Sequence, residues 1–255
     1  MMTNIRSSLY IIMLYLSINL ACYAQSNSVL DFSYNKINGQ FSELLSMDIH
    51  TPDSGNNLPV VVFVHGGGWQ IGDKASTAHI NKRNFFINHG FVFVSVNYRL
   101  APLDFYPTYP QDVAQAIAFV FNWIAKFKGD NKNVFLMGHS AGAHLAALVA
   151  TDKSYLNTYG YAPTDLNGVI LLDGAGYDIP AVVDFQTQNN NTDAVLMYHT
   201  AFGTDINTWI DASPINHVEE SGSPPFQLFY VDTRRVSHLV SAAFSNKLNT
   251  HNNSA

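Results

Sequence analysis

The stretch from residue 133 to residue 148 constrains the fold of this chain more than any other part of the sequence. A short apolar strand, Val134–Met137, runs into a glycine-rich corner, and a run of small, helix-forming residues follows. The corner, residues 138–142, reads GHSAG and fits the pattern GxSxG, in which a strained turn lifts a serine hydroxyl clear of a sheet. Side chains at Gly138 and Gly142 would collide across so tight a turn. The pattern predicts that Ser140 is a nucleophile; the simpler alternative is that Ser140 only caps the helix.

A second glycine-rich segment directly follows another apolar run. Pro59–Val64 reads as a strand buried in a parallel sheet, and His65, three consecutive glycines and Trp69 come next. Bare backbone of this kind suits an oxyanion hole, in which the N–H groups of Gly67 and Gly68 act with that of Ala141 behind the serine. A flexible turn is the alternative. It accounts for the glycines but not for the flanking His65 and Trp69.

Strand and helix patterns alternate along the rest of the chain. This alternation predicts an α/β fold with a mostly parallel central sheet flanked by helices. We expect a polar lead-in over residues 25–38, strands over 43–50, 91–96, 168–173 and 226–231, and helices over 81–88, 112–127 and 236–248. Residues 174–218 break the rhythm and predict a small cap of short helices over a pocket. Arg99 and Asp112 are expected to form a buried structural ion pair beneath the active-site loops; the alternative is that both are solvated.

Composition limits the possible function. The chain has 255 residues, of which 47% are hydrophobic, enough for one sizeable domain. Only 13% are charged and the formal net charge is −6, so nucleic acid is an unsuitable partner.

The first 24 residues read as a secretory signal peptide. Arg6 precedes an apolar run from Leu9 to Leu20, and small residues at Cys22 and Ala24 suit cleavage before Gln25. A lipoprotein anchor at Cys22 is the alternative. Cleavage after Ala24 would remove the single cysteine, so we expect a secreted or periplasmic protein, residues 25–255, without disulfides, thiol nucleophile or cysteine metal ligand.

Three motifs occur in order along the chain: HGGGW at residues 65–69, YRLAP at 98–102 and GHSAG at 138–142. In this combination the chain resembles the α/β-hydrolase superfamily, and more narrowly the bacterial carboxylesterases that include hormone-sensitive-lipase-like and feruloyl or acetyl-xylan esterases. The resemblance implies hydrolysis of small carboxylic esters through an acyl-enzyme, with no metal or organic cofactor. Kynurenine formamidases share a related HGGxW loop, so an aryl formamide is the alternative substrate.

The resemblance also implies a catalytic triad in the order Ser, Asp, His. Ser140 supplies the nucleophile, and Asp232 lies at the end of the right strand, although the family pattern places the acid about two residues later, where this chain has Arg234. The expected last strand and its histidine have no counterpart before residue 255. We expect His251 to be an ordinary tail residue and His238 to be no better placed.

Next to the serine, His139 and His144 are too close along the chain to serve as its base, and His144 is expected to pack beneath the elbow helix. The sequence therefore predicts a chain truncated at its C-terminus. An inactive remnant that still binds ligands is the remaining alternative.

Overall fold

The computed structural model describes residues 26–174, 176–218 and 222–252, so the predicted signal peptide lies outside the described residues. Within them, one sheet contains seven strands: β1 (Ser26–Ser33), β2 (Ser46–Pro52), β3 (Leu58–Val64), β4 (Val92–Val96), β5 (Gly129–His139), β6 (Gly168–Leu172) and β7 (Phe226–Phe229). Their order is β1-β2-β4-β3-β5-β6-β7; β2 runs antiparallel to both of its neighbours, β1 and β4, and all other neighbouring pairs are parallel. The predicted α/β class and mostly parallel sheet are confirmed.

Eight α-helices lie in the described part of the chain: α1 (Ile80–Asn88), α2 (Thr108–Trp123), α3 (Ala141–Thr151), α4 (Lys153–Asn157), α5 (Ile179–Gln188), α6 (Thr192–Phe202), α7 (Ile206–Asp211) and α8 (Arg235–Asn252). None of these helices combines the length and the apolar character needed to cross a membrane. The segment predicted as a cap contains α5, α6, α7 and a short 3-10 turn at Pro214–His217.

The continuous apolar run of β3 is explained by helices on both faces of the sheet. Val60, Val62 and Val64 belong to the main core, which also includes apolar residues of α2, α3 and α8. Val61 and Phe63 point the other way, into a smaller cluster that contains residues of α1. Successive residues of a strand point to opposite faces, so a strand covered on both faces must be apolar at every position.

Two predicted boundaries are wrong for the same physical reason. The polar lead-in over residues 25–38 contains β1, which pairs with β2 through its main chain. The last helix runs four residues beyond Leu248, to Asn252, and therefore includes His251. In both places the backbone forms regular hydrogen bonds, although polar side chains interrupt the apolar repeat on which the prediction depended.

Candidate active site

Ser140 occupies the sharp turn between β5 and α3. Its backbone has φ 53° and ψ −119°, a strained conformation for a residue with a side chain. Its amide donates to the carbonyl of Leu172 in β6 at 2.9 Å, which fixes the turn against the neighbouring strand. Although Ser140 stands at the N-cap position of α3, its side chain makes no capping hydrogen bond. The turn therefore presents the hydroxyl instead of using it to cap the helix.

The two glycines of the corner are required by close backbone contacts. A Cβ atom at Gly138 would lie 2.2 Å from the carbonyl oxygen of Gly142, and one at Gly142 would lie 2.2 Å from the carbonyl oxygen of Val64. Both distances are far shorter than a van der Waals contact. The predicted steric reason for these glycines is confirmed, and the start of α3 packs directly against the end of β3.

The glycine-rich loop after β3 folds into a tight turn. Gly67 has φ 122° and Gly68 has φ 59°, both in the region that favours glycine. The carbonyl of Gly67 accepts hydrogen bonds from the amides of Gln70 and Ile71, each at 3.1 Å. A Cβ atom at Gly67 would lie only 1.8 Å from the carbonyl oxygen of Ile71, so no other residue fits without rebuilding the loop.

This loop lies against the elbow. A Cβ atom at Gly66 would be 3.0 Å from the Cβ of Ser140. In the described part of the chain, the amides of Gly67 and Gly68 donate to no other residue. The amide of Ala141 belongs to the first turn of α3, where N–H groups have no partner within the helix. The structure thus places three N–H groups in the two segments that meet at Ser140, and their role as an oxyanion hole stays a prediction.

Trp69 anchors the loop to the helix behind the serine. Its indole Nε1 donates to Nδ1 of His144 at 3.2 Å, and Nε2 of His144 lies 2.7 Å from the carbonyl oxygen of Ala212. The indole ring also packs against Phe202 and Tyr198 of α6, with ring centroids 4.8 and 5.3 Å apart. The loop, α3 and the segment after α7 are therefore held together by one buried side-chain network.

Helix α6 covers the loop. A Cβ atom at Gly68 would be 2.6 Å from the sulfur of Met197, and Gln70 Nε2 donates to the carbonyl of Met197 at 3.3 Å. The predicted cap segment thus contributes a helix directly above the glycines. Its role in enclosing a substrate pocket stays a prediction.

Arg99 and Asp112 form the expected structural ion pair. Arg99 Nη2 lies 2.7 Å from Asp112 Oδ1, and Arg99 Nε lies 2.9 Å from Asp112 Oδ2, a bidentate arrangement. Burial raises the pKa of the Asp112 carboxyl, and the bonds from Arg99 oppose this rise. The predicted ion pair is confirmed, with the Asp112 side chain buried and the Arg99 side chain 27% exposed.

Asp232 lies three residues beyond β7, on the outside of the turn that leads into α8. Its side chain is 87% exposed, and Oδ1 lies 3.5 Å from Nδ1 of His238. The structure does not bring this carboxylate into contact with Ser140. Its assignment as the catalytic acid stays a prediction from the order of the elements.

A carboxylate that the sequence did not single out lies at the end of β6. Both carboxylate oxygens of Asp173 accept hydrogen bonds: Oδ1 from Ser237 Oγ at 2.7 Å and from the amide of Val231 at 3.2 Å, and Oδ2 from the guanidinium of Arg234. Burial alone would raise the pKa of this carboxyl, but the hydrogen bonds from Ser237, Arg234 and Val231 outweigh burial and hold it below its usual range. Sequence order alone could not find Asp173, because its partners follow it by about 60 residues.

Three histidines lie near the elbow. His65 stacks on Tyr98, with ring centroids 4.5 Å apart, and His144 is fully buried beneath α3 as predicted. A Cβ atom at Gly66 would lie 3.2 Å from Nδ1 of His139. Burial lowers the pKa of all three imidazoles, so they are neutral near pH 7.

The two histidines of α8 are engaged elsewhere. His238 stacks on Tyr230, with ring centroids 4.7 Å apart, and His251 Nδ1 lies 2.9 Å from the carbonyl oxygen of Lys247. All ten histidines of the chain fall within the described residues, and none of them is hydrogen-bonded to the Ser140 hydroxyl there. Those residues also contain no group of three acidic, histidine or cysteine side chains arranged to hold a metal ion.

Proteins whose names describe ester hydrolysis are similar to this chain in sequence. "Probable carboxylic ester hydrolase LipM" of Mycobacterium tuberculosis is 29% identical over 206 residues, which cover 77% of this chain and 46% of LipM. "Probable isoprenylcysteine alpha-carbonyl methylesterase ICME" of Oryza sativa subsp. japonica is 32% identical over 143 residues, which cover 54% of this chain and 34% of the relative. The chain thus spans between a third and a half of the length of these curated relatives.

Solved esterase structures share the fold. The crystal structure of Esterase B from Lactobacillus rhamnosis superposes with a TM-score of 0.73 at 21% identity and covers 89% of this chain and 71% of that one. A "truncated form of carbohydrate esterase from gut microbiota" gives a TM-score of 0.71 at 19% identity, with 91% and 86% covered. At these identities the likeness establishes an α/β-hydrolase fold.

The sequence of residues 47–250 matches the BD-FAE family. This range includes the glycine loop, the elbow and all of the parallel strands. The chain therefore belongs to the BD-FAE family.

Proposed function

We propose that this protein is a serine hydrolase that cleaves small carboxylic esters through an acyl-enzyme on Ser140. The observation that carries the proposal is the strained turn at Ser140, which faces a loop whose Gly67 and Gly68 amides are unpaired among the described residues. A strained backbone conformation costs free energy, and such conformations are concentrated at functional sites. The use of this arrangement in acyl transfer is to hold the negative oxygen of a tetrahedral intermediate.

The reaction would follow two steps. Ser140 Oγ attacks the ester carbonyl and loses its proton to a base, while the amides of Gly67, Gly68 and Ala141 hold the oxyanion and the alcohol leaves. Water then attacks the acyl-enzyme and releases the acid. In the sequence-based proposal Asp232 orients the base; no metal or organic cofactor takes part.

None of the histidines is hydrogen-bonded to the Ser140 hydroxyl in the described part of the chain, and this favours a second candidate function. Without an imidazole at the serine, only roughly 1,000- to 10,000-fold catalysis over water would remain, from oxyanion stabilisation and binding. A protein of this kind would bind esters without turning them over efficiently. Sequencing the gene beyond codon 255 in all three frames, in search of an apolar strand followed by a histidine, tests whether further residues supply the base.

Labelling with a fluorophosphonate probe tests whether Ser140 is activated. We expect one labelled site, lost in Ser140→Ala and kept in Ser154→Ala, which alters an exposed serine of α4. Gly67→Ala should reduce labelling about 100-fold or more, because the added Cβ rebuilds the loop that carries the oxyanion donors. An unlabelled wild-type protein would favour the non-catalytic alternative.

Substrate assays then separate the reaction types. Hydrolysis of p-nitrophenyl acetate that exceeds hydrolysis of N-formylkynurenine supports the ester reaction, and the reverse order supports the formamide reaction. We further propose that the protein is secreted or periplasmic, on the evidence of residues 1–24 alone. N-terminal sequencing of protein recovered outside the cytoplasm should begin at Gln25.

A further inference from the structure

We infer that Asp173, at the end of β6, is the carboxylate that positions the base of this active site. The inference rests on the proposed function, since it concerns a base that acts on Ser140. It assigns to β6 a role that sequence order gives to the residue after β7. Asp173 would act through the imidazole and would not touch the substrate, so it is a positioning residue.

The backbone places Asp173 next to the nucleophile. Strand β6 pairs directly with β5, and the carbonyl of Leu172 accepts a hydrogen bond from the amide of Ser140 at 2.9 Å. The next residue is Asp173, whose own amide donates to the carbonyl of Phe229 at 2.7 Å. Asp173 therefore stands between the elbow and the end of β7, with φ 51°, and its main chain is bonded on the β7 side.

The two candidate carboxylates differ in their exposure to solvent. The side chain of Asp173 is 11% exposed and that of Asp232 is 87% exposed. A carboxylate orients an imidazole strongly only where water does not compete for the same hydrogen bond and the charge is poorly screened. Asp173 meets this condition and Asp232 does not.

The present partner of Asp173 is a cation that can be replaced. Arg234 binds Oδ2 and is itself 62% exposed, whereas the buried Ser237 hydroxyl and the main-chain amide of Val231 hold Oδ1. The two bonds to Oδ1 fix the carboxylate in place. Exchange of the guanidinium for an imidazolium at Oδ2 would replace one ion pair with another at the same oxygen, so the carboxylate would keep a cationic partner.

Chemical rescue with free imidazole tests the inference in the protein as it exists. In the labelling step the Ser140 oxygen forms a bond to the phosphorus of the fluorophosphonate, the phosphorus–fluorine bond breaks, fluoride leaves, and the serine proton passes to imidazole. The measurement is the labelling rate as a function of imidazole concentration, with far-UV circular dichroism and the urea midpoint of each variant recorded alongside. Asp184→Asn, which alters an exposed carboxylate of α5, is the matched control.

We expect imidazole to accelerate labelling of the wild-type protein and of Asp184→Asn equally. Asp173→Asn should reduce the imidazole-dependent rate at least about tenfold, because an amide cannot stabilise the imidazolium. Arg234→Gln should raise that rate by up to about fivefold, the equivalent of removing one competing surface ion pair. A purely structural role for the cluster predicts instead that both variants lower the rate together.

Other outcomes overturn the inference. It fails if Asp173→Asn retains the imidazole-dependent rate, or if Asp232→Asn alone abolishes it. If Asp173→Asn does not fold, an unchanged or lower rate in Arg234→Gln is sufficient to reject the role of Asp173. Wild-type protein that is not labelled with or without imidazole rejects the proposed function itself, which distinguishes the two failures.

Discussion

The buried His144 should make the stability of this protein depend on pH below neutrality. Because indole N–H only donates, Nδ1 of His144 must accept the hydrogen bond from Trp69, and the ring proton must lie on Nε2, which donates to Ala212. Both nitrogens are therefore used by the neutral imidazole. Protonation would put a second donor opposite the indole N–H in a site with no exposed surface.

The size of the effect follows from the pKa. Burial lowers the pKa of His144 from 6.5 to about 4, and the hydrogen bond to Ala212 partly opposes this. Between these two values the unfolded chain binds more protons than the folded one, so stability is fully present above pH 6.5 and is lost as the pH falls towards 4. A tenfold difference in proton affinity between the folded and unfolded chain is equivalent to about 1.4 kcal/mol, so the whole window amounts to about 3 kcal/mol.

Urea unfolding of wild-type protein and His144→Gln at pH 7.5 and pH 4.5 measures this contribution. Other titrating groups contribute equally to both proteins and cancel in the comparison. We expect the wild-type free energy of unfolding to fall by about 2 kcal/mol more than that of the variant between the two pH values. Equal losses in the two proteins would refute the proposed neutral tautomer and its burial cost.

Two further substitutions test the packing of the site. Gly142→Ala should prevent correct folding or destabilise the protein by several kcal/mol, since its Cβ would lie 2.2 Å from the carbonyl oxygen of Val64; soluble yield and urea unfolding report this, and a wild-type midpoint would contradict it. Asp112→Asn should lower the free energy of unfolding by about 1–3 kcal/mol, because it removes the charge from a buried carboxylate, while Arg99 stays partly exposed and keeps Asp104 nearby. Asp53→Asn, which alters an exposed carboxylate after β2, serves as its control, and equal midpoints for the two variants would refute a buried pair.

The elbow and the glycine loop could be predicted because each structural constraint restricts the residue type at its own position in the sequence. A continuous apolar run such as β3 indicates a strand buried on both faces. Where a Cβ atom would collide with the main chain, the position must be glycine, and this is visible in the sequence. The ion pair of Arg99 with Asp112 spans only 13 residues and joins the end of a strand to the helix that follows. Each of these features restricts the residue types at its own positions, even where the spatial contact is with a distant strand, as between Gly142 and Val64.

Features that depend on distant contacts could not be read in this way. Strand β1 is held by main-chain pairing with β2; most of its side chains are exposed, and its apolar residues Val29, Leu30 and Phe32 do not alternate with polar ones. Asp173 looks like an ordinary strand end until Arg234 and Ser237 are brought to it from more than 60 residues away. No local sequence pattern predicts these contacts of Asp173, because they result from the order of the strands in the sheet.

The direction of the turn after β7 decides which carboxylate can serve the site. The amide of Arg234 donates to the carbonyl of Val231 at 2.8 Å, which closes a tight turn just before α8 begins. Closure of this turn brings the exposed Arg234 side chain to Asp173 and leaves Asp232 in solvent, beside His238. For Asp232 to reach the elbow the turn would have to open, and the Arg234 ion pair would be lost. Counting residues from the end of a strand takes no account of the direction of the turn. The side of the turn on which a carboxylate lies is therefore stronger evidence for a role in the active site than its position in the sequence.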